Sequence, residues 1–202
     1  MKDNELQSSQ KRIRGFTIVE LLIVIVVIAV LAAITVAAFN GVQDRANNSR
    51  TEKAVSEFRR MLIAYATVNG QYPAGGATSA CLGEASNYPS GCWNGSISAT
   101  FNSDLKTMLG TGTLPNPYAG CLPMYGFCRY GAAFSRSEIN LDGQSHTWSI
   151  SYLLKGDVKC TANGQAGGTW TNATSTPNAN GRIEYHSDTT LCRLILPNPA
   201  TL

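Results

Sequence analysis

The chain has 202 residues, a length that suits one domain with an appendage and not two full domains. Charged residues make up 14%, well below the roughly 25% usual in soluble globular chains, and the shortfall sits in one apolar stretch near the N-terminus. The formal net charge is +3, and Lys2, Lys11, Arg12 and Arg14 against Asp3 and Glu5 place +2 of it in residues 1–15. The remainder, about +1, argues against a nucleic-acid-binding body, because phosphate binding needs clustered cations.

Residues 1–15 form a short polar leader that ends in the basic cluster Lys11, Arg12 and Arg14. From Phe16 to Phe39 the chain is apolar. A helix of that length reaches across a hydrocarbon core of roughly 30 Å. The cations just ahead of it predict a leader that stays cytoplasmic and a body that emerges on the far side. One residue does not fit a plain anchor. Glu20 lies inside the apolar run, where insertion scales put an acidic residue at the helix centre at about 2.5 kcal/mol or more. Near a helix end the cost is smaller, and a tolerated carboxylate at the headgroups is the plainer reading. The functional reading gives Glu20 a partner once the protein leaves the lipid.

The run Arg14-Gly15-Phe16-Thr17-Ile18-Val19-Glu20-Leu21-Leu22 resembles the class III signal motif of type IV prepilins and pseudopilins. The resemblance covers about residues 10–45 closely and the rest by general layout. It implies a prepilin peptidase that cuts between Gly15 and Phe16 and methylates the new amine on Phe16. It also implies that Glu20 pairs with the terminal amine of a neighbouring subunit in a helical homopolymer. An inner-membrane assembly platform and a cytoplasmic ATPase are the further partners it implies, with no cofactor. A buried carboxylate is costly alone, so the pairing sets register, while packing of Leu21, Ile23, Val26 and Ile28 supplies cohesion.

The helical pattern continues past Phe39. Ala54, Phe58, Leu62, Tyr65 and Val68 recur at spacings of three and four, the stripe of an amphipathic helix. Asn69-Gly70 and Pro73 then stop it. One long helix from about Phe16 to Asn69 is expected, loosened near Asn40-Gly41. A short helix is expected over Phe101–Leu109. Trp148, Ile150, Tyr152 and Leu154 alternate with polar residues, which predicts a strand with one buried face. Phe127–Phe134, Arg182–Tyr185 and Leu191–Leu196 are weaker strand candidates, and residues 161–181 read as a long loop. The expected fold is α+β: a long N-terminal helix packed against a small antiparallel sheet, as the resemblance also implies. The expected organisation is a cleaved leader at 1–15, a membrane and filament-core helix at 16–39, an amphipathic half at 40–70 and a sheet head at 71–202.

Six cysteines, Cys81, Cys92, Cys121, Cys128, Cys160 and Cys192, all lie beyond the apolar segment. An even number in an exported domain, without CxxC pairs, reads as disulfides and not as a zinc site. Local spacing suggests Cys81–Cys92, Cys121–Cys128 and Cys160–Cys192. His146 and His186 are the only histidines, and no catalytic set gathers around them. Asp142-Gly143 and Asp157 read as turn residues. Asn47-Asn48-Ser49, Asn94-Gly95-Ser96 and Asn172-Ala173-Thr174 fit the glycosylation triplet, which arises often by chance in such a chain. Trp93 and Trp170 stand in loops, where a tryptophan either covers a small core or faces solvent for adhesion or sugar stacking.

These features point to a structural protein and not an enzyme. The expected life cycle is a single pass through the cytoplasmic membrane, then a cell-surface filament serving adhesion to a host surface, motility or DNA uptake. A pseudopilin of a secretion or competence machine is the alternative. A third reading, an exported module kept on an uncleaved anchor or released near Ala37-Ala38, leaves Glu20 and the Gly15–Phe16 junction unexplained.

Overall fold

The structure is a computed structural model. It describes residues 16–73, 79–88, 91–93, 95–109, 112–124, 127–141, 144–160, 182–186 and 188–202. The leader, the 161–181 segment, Asp142-Gly143, Asn94, Asn172 and Trp170 lie outside those residues. Two compact units meet in the sequence at Val42 and Gln43.

Helix α1 runs from Ile18 to Asn69 and belongs to both units. In the first unit it carries the apolar run and continues through Gly41 as helix. In the second unit it is amphipathic, and it buries Thr51, Ala54, Val55, Phe58, Met61, Leu62 and Ala66. These recur at three- and four-residue steps, as one face of a helix must. The expected stripe is right for Ala54, Phe58 and Leu62 but fails at its C-terminal end. Tyr65 is half-buried and Val68 is exposed, while the smaller Ala66 faces the core. Size misled here, since a helix that lies close to a sheet can turn its alanine inward. Gly70 follows the helix with φ +69°, a left-handed conformation that glycine takes without a Cβ clash.

Five strands form one antiparallel sheet in the order β1-β4-β5-β7-β6. They are β1 (Ser79–Cys81), β4 (Ala132–Leu141), β5 (Gln144–Lys155), β6 (Arg182–His186) and β7 (Thr189–Ile195). A separate hairpin pairs β2 (Leu122–Met124) with β3 (Phe127–Arg129). Helix α2 spans Ala99–Lys106, starting and ending earlier than the sequence suggests. Ser98 caps it by accepting a bond from the Phe101 amide at 3.3 Å, and Phe101 and Leu105 are its buried residues on the core face. The segment expected as one strand over Phe127–Phe134 is broken. Gly131 takes φ +54° there, and a Cβ on it would run into the Tyr88 ring. The break lets β3 leave the main sheet and pair with β2.

On one face of the sheet, Phe134, Ile150, Tyr152, Leu154, Cys192 and Leu194 pack with the α1 residues Val55, Phe58 and Leu62. Tyr72, Phe134 and Trp148 meet at ring distances of 5.1–5.7 Å, and Phe101 reaches Phe134 at 5.2 Å. The Tyr72 hydroxyl donates to the Pro197 carbonyl at 2.8 Å. The other face is covered as well, which corrects the expectation of a single buried face for β5. Leu153 and Leu191 pack under Leu122 and Met124 of the hairpin, and Ser149 and Ser151 are buried beside them on β5. Serines leave the depth that a covering layer needs. Tyr88 packs with Cys81, Cys92 and Ala133 in a third cluster. Burial pushes its hydroxyl pKa up to about 12 while the hydroxyl donates to the Leu82 carbonyl at 2.6 Å.

The structure joins Cys81 to Cys92, Cys121 to Cys128 and Cys160 to Cys192, with Cα separations of 5.5, 5.0 and 5.7 Å. Each closes a loop of the unfolded chain and contributes about 2–4 kcal/mol on the chain-entropy account. Two of the three tie down the layer over the outer face of the sheet.

Polar contacts fix the amphipathic half of α1 to its sheet. The Asn48 side-chain amide donates to the Lys155 carbonyl at 2.8 Å, and its oxygen accepts the Lys155 amide at 2.8 Å. Asn48 thus occupies both main-chain groups at the end of β5, as a neighbouring strand would. Thr51 Oγ1 accepts the Tyr118 amide at 3.1 Å, and Arg50 Nε donates to the Asn116 carbonyl at 2.9 Å. Replacing Asn48 with Ala orphans two part-buried main-chain groups at once. The expected loss is about 2 kcal/mol of unfolding free energy, read as a lower urea midpoint with an unchanged slope.

Candidate assembly and processing site

The described apolar side chains of the first unit are exposed on every side of its helix. The large ones from Ile18 to Ile34 are each at least 47% exposed. Among the described residues α1 is the one helix long and apolar enough to cross a membrane. A surface of this kind has no stable place in water, so it calls for lipid or for other helices.

Phe16 and Thr17 precede the helix, and α1 begins at Ile18. Thr17 therefore stands at the N-cap and Glu20 three residues into the end. Thr17 Oγ1 accepts the Glu20 amide at 3.2 Å. The Glu20 carboxylate in turn accepts the Thr17 amide at 2.9 Å and the Thr17 hydroxyl at 2.7 Å. This is a capping box, in which two otherwise unpaired helix-end amides are satisfied reciprocally. All three bonds are made within four residues. Glu20 is thereby held at the mouth of the helix, beside Phe16, which is 76% exposed. Gly15, on the other side of the expected cut, lies outside the described residues.

Residues 10–36 match the prokaryotic N-terminal methylation motif. That segment is the class III signal peptide of type IV pilins and pseudopilins. The motif indicates a pilin-like or pseudopilin-like secreted protein, and it implies processing by a prepilin peptidase followed by filament assembly. It spans the end of the leader and most of the apolar half of α1, with Phe16, Thr17 and Glu20 inside it. No curated protein and no solved structure matches the chain. The sheet-bearing unit is therefore understood from its own packing. The motif suggests a structural and not a catalytic protein.

The other described residues singled out in the sequence belong to the unit that begins at Gln43. His146 is half-buried on β5 opposite Ile139, and His186 sits on β6 opposite Thr189. Asp188 turns the chain between β6 and β7 at φ +64° and pairs with Lys155 Nζ at 2.8 Å, which raises the lysine pKa. Among the described residues no three His, Cys, Asp or Glu side chains gather as metal ligands would. Trp93 packs against Leu122, Met124, Leu153 and Leu191, so it covers a core.

Sequence reasoning singles out Glu20 but not Thr17, its partner in the capping box. Its signal was present, since Thr17-Ile18-Val19-Glu20 has the Thr-x-x-Glu spacing of a capping box just before an apolar run. Thr17→Ala removes the acceptor for the Glu20 amide and costs about 1 kcal/mol at the helix start. In the full chain in detergent micelles, amide exchange at Glu20 should quicken roughly fivefold in Thr17→Ala, the same free energy expressed as a rate. Thr17→Ser should exchange as the wild type does.

Proposed function

We propose that the chain is the structural subunit of a type IV pilus, cut between Gly15 and Phe16, methylated on Phe16 and polymerised through α1. The observation that carries this reading is Glu20. It is one acidic residue at the start of a helix whose first half is otherwise apolar, with its described side chains bare, inside the methylation motif. In a polymer, the apolar halves of neighbouring helices cover one another, and Glu20 meets the charged amine that cleavage creates on Phe16 of the next subunit. Dispersion packing supplies the cohesion, and the ion pair sets the axial register.

On this reading residues 1–15 are lost, 16–39 form the membrane and then filament-core helix, 40–70 the amphipathic half and 71–202 the head. The precursor is a single-pass protein of the cytoplasmic membrane, and the assembled subunit is extracellular. A prepilin peptidase, an inner-membrane platform and a cytoplasmic ATPase are the partners it needs. Adhesion, surface motility or DNA uptake is the use of such a fibre. Three disulfides and a sheet covered on both faces favour an exposed filament over the short periplasmic fibre of a pseudopilin.

Mass and N-terminal sequence of protein sheared from cells should show a chain that starts at N-methylated Phe16. A start near Phe39, or at Met1, would overturn the reading. Glu20→Ala should leave precursor levels and head folding intact while sheared filament falls to roughly a tenth or less, as expected where one partner of a buried pair is removed. Filament yield equal to wild type would rule out the pairing.

A further inference from the structure

The hairpin β2–β3 carries a feature that assembly through α1 does not use. Phe127 and Arg129 lie on one face of β3, two residues apart. The Arg129 guanidinium lies over the Trp93 ring at 5.2 Å and over the Phe127 ring at 5.4 Å. Trp93 comes from another segment, and its amide donates to the carbonyl of Tyr130, the residue that follows β3, at 2.9 Å. The three side chains thus form a ladder of indole, guanidinium and phenyl. The indole is packed on Leu153 and Leu191, while the phenyl at the other end is 66% exposed. Among the described aromatics of the unit that begins at Gln43, Phe127 alone is exposed.

A lone exposed phenyl needs no explanation. Two things distinguish this one. The first is charge: no carboxylate among the described residues pairs with Arg129, so its charge stands uncompensated beside an open ring. Arg129 Nε and the Trp93 indole N–H are buried without an acceptor among the described residues, so the ladder holds donors in excess. The second is rigidity. Cys128 lies between Phe127 and Arg129 and is bonded to Cys121, and Cys92, next to Trp93, is bonded to Cys81. A site held this firmly loses little conformational freedom on binding.

We infer that Phe127 and Arg129 form a binding site for an acidic sugar, with the ring face stacked on Phe127 and the carboxylate on Arg129. The size of the site selects this ligand over a nucleic-acid strand. One ring and one cation match one carboxylated sugar residue, whereas a strand needs a row of cations along its backbone. The inference does not rest on filament assembly, because the site lies wholly within the unit that begins at Gln43.

The test is calorimetric titration of the full chain in detergent micelles with fragments of hyaluronan, polygalacturonate and oligosialic acid. Their carboxyl-reduced forms and dodecathymidylate serve as controls. At least one acidic oligosaccharide should bind, its carboxyl-reduced form should bind about tenfold less well, and added salt should weaken the complex. Phe127→Ala, which removes an exposed ring and keeps the fold, should weaken binding about tenfold with an unchanged melting curve. Arg129→Lys keeps the charge but loses the planar fork, and should bind more weakly than wild type. Failure of all three acidic sugars, equal binding of the reduced forms, binding unmoved by Phe127→Ala, or binding of the oligonucleotide alone would each overturn the proposal.

Discussion

An α-helix satisfies its own main chain, and this single property lets α1 serve two environments. Its first half can be surrounded by lipid or by other helices without leaving an amide unpaired. Its second half can be buried by side chains alone, with no ladder partner required. The change falls where Asn40, Gln43, Asp44 and Arg45 replace the apolar run. From there the helix needs a cover on one face only, and the sheet supplies it through Phe134, Ile150, Tyr152 and Leu194. Asn48 and Thr51 then fix where along the helix that cover sits, since their bonds to Lys155 and Tyr118 admit one register.

A five-stranded sheet laid on one helix has a second face to hide, and the chain has little material for a second layer. It uses a hairpin with three residues in each strand, the loop held by Cys81–Cys92 and a few well-placed side chains. A two-stranded hairpin is marginal by itself in water, so it depends on what lies under it and on what closes it. Leu122 and Met124 anchor it to Leu153 and Leu191, and Cys121–Cys128 closes its base. The small residues beneath, Ala133, Ser149 and Ser151, let the layer come close. Ser149 Oγ finds no partner there among the described residues, which is the cost of using a polar residue for its size.

Much of this was legible in the sequence where periodicity was long. The run from Ile18 to Asn69, the strand through Trp148–Leu154 and the helix around Phe101 and Leu105 declare themselves because many residues repeat one pattern. Short elements do not. β1, β2 and β3 each have three residues, too few for a period to be counted, and Leu122-Pro123-Met124 holds a proline that argues against a strand unless it is an edge. The break at Gly131 was hidden because its cause, the Tyr88 ring, comes from a distant segment. Val68 was misassigned for the opposite reason, since helical phase is legible but the angular width of the cover is not. At the candidate site the spacing of Glu20 from Phe16 was informative, while the role of Thr17 needed a local rule and not a pattern.

The capping box bears on how Glu20 can serve two states. Both bonds from Thr17 go to the same carboxylate oxygen, Oε2. Among the described residues Oε1 receives none. A carboxylate has room for about four hydrogen bonds, so the local cap leaves half of Glu20 open. Under the proposed assembly the amine of a neighbouring Phe16 can take Oε1 without displacing Thr17. The subunit then need not choose between a capped helix and a paired carboxylate. On that proposal the cap would also lessen the cost of holding Glu20 in the membrane, where each unmet polar group is expensive. A longer acidic chain or one placed a residue later would lose the reciprocal bond to the Thr17 amide. On the proposed assembly the position of Glu20 would be constrained twice, by the helix that begins at Ile18 and by the partner that arrives after cleavage.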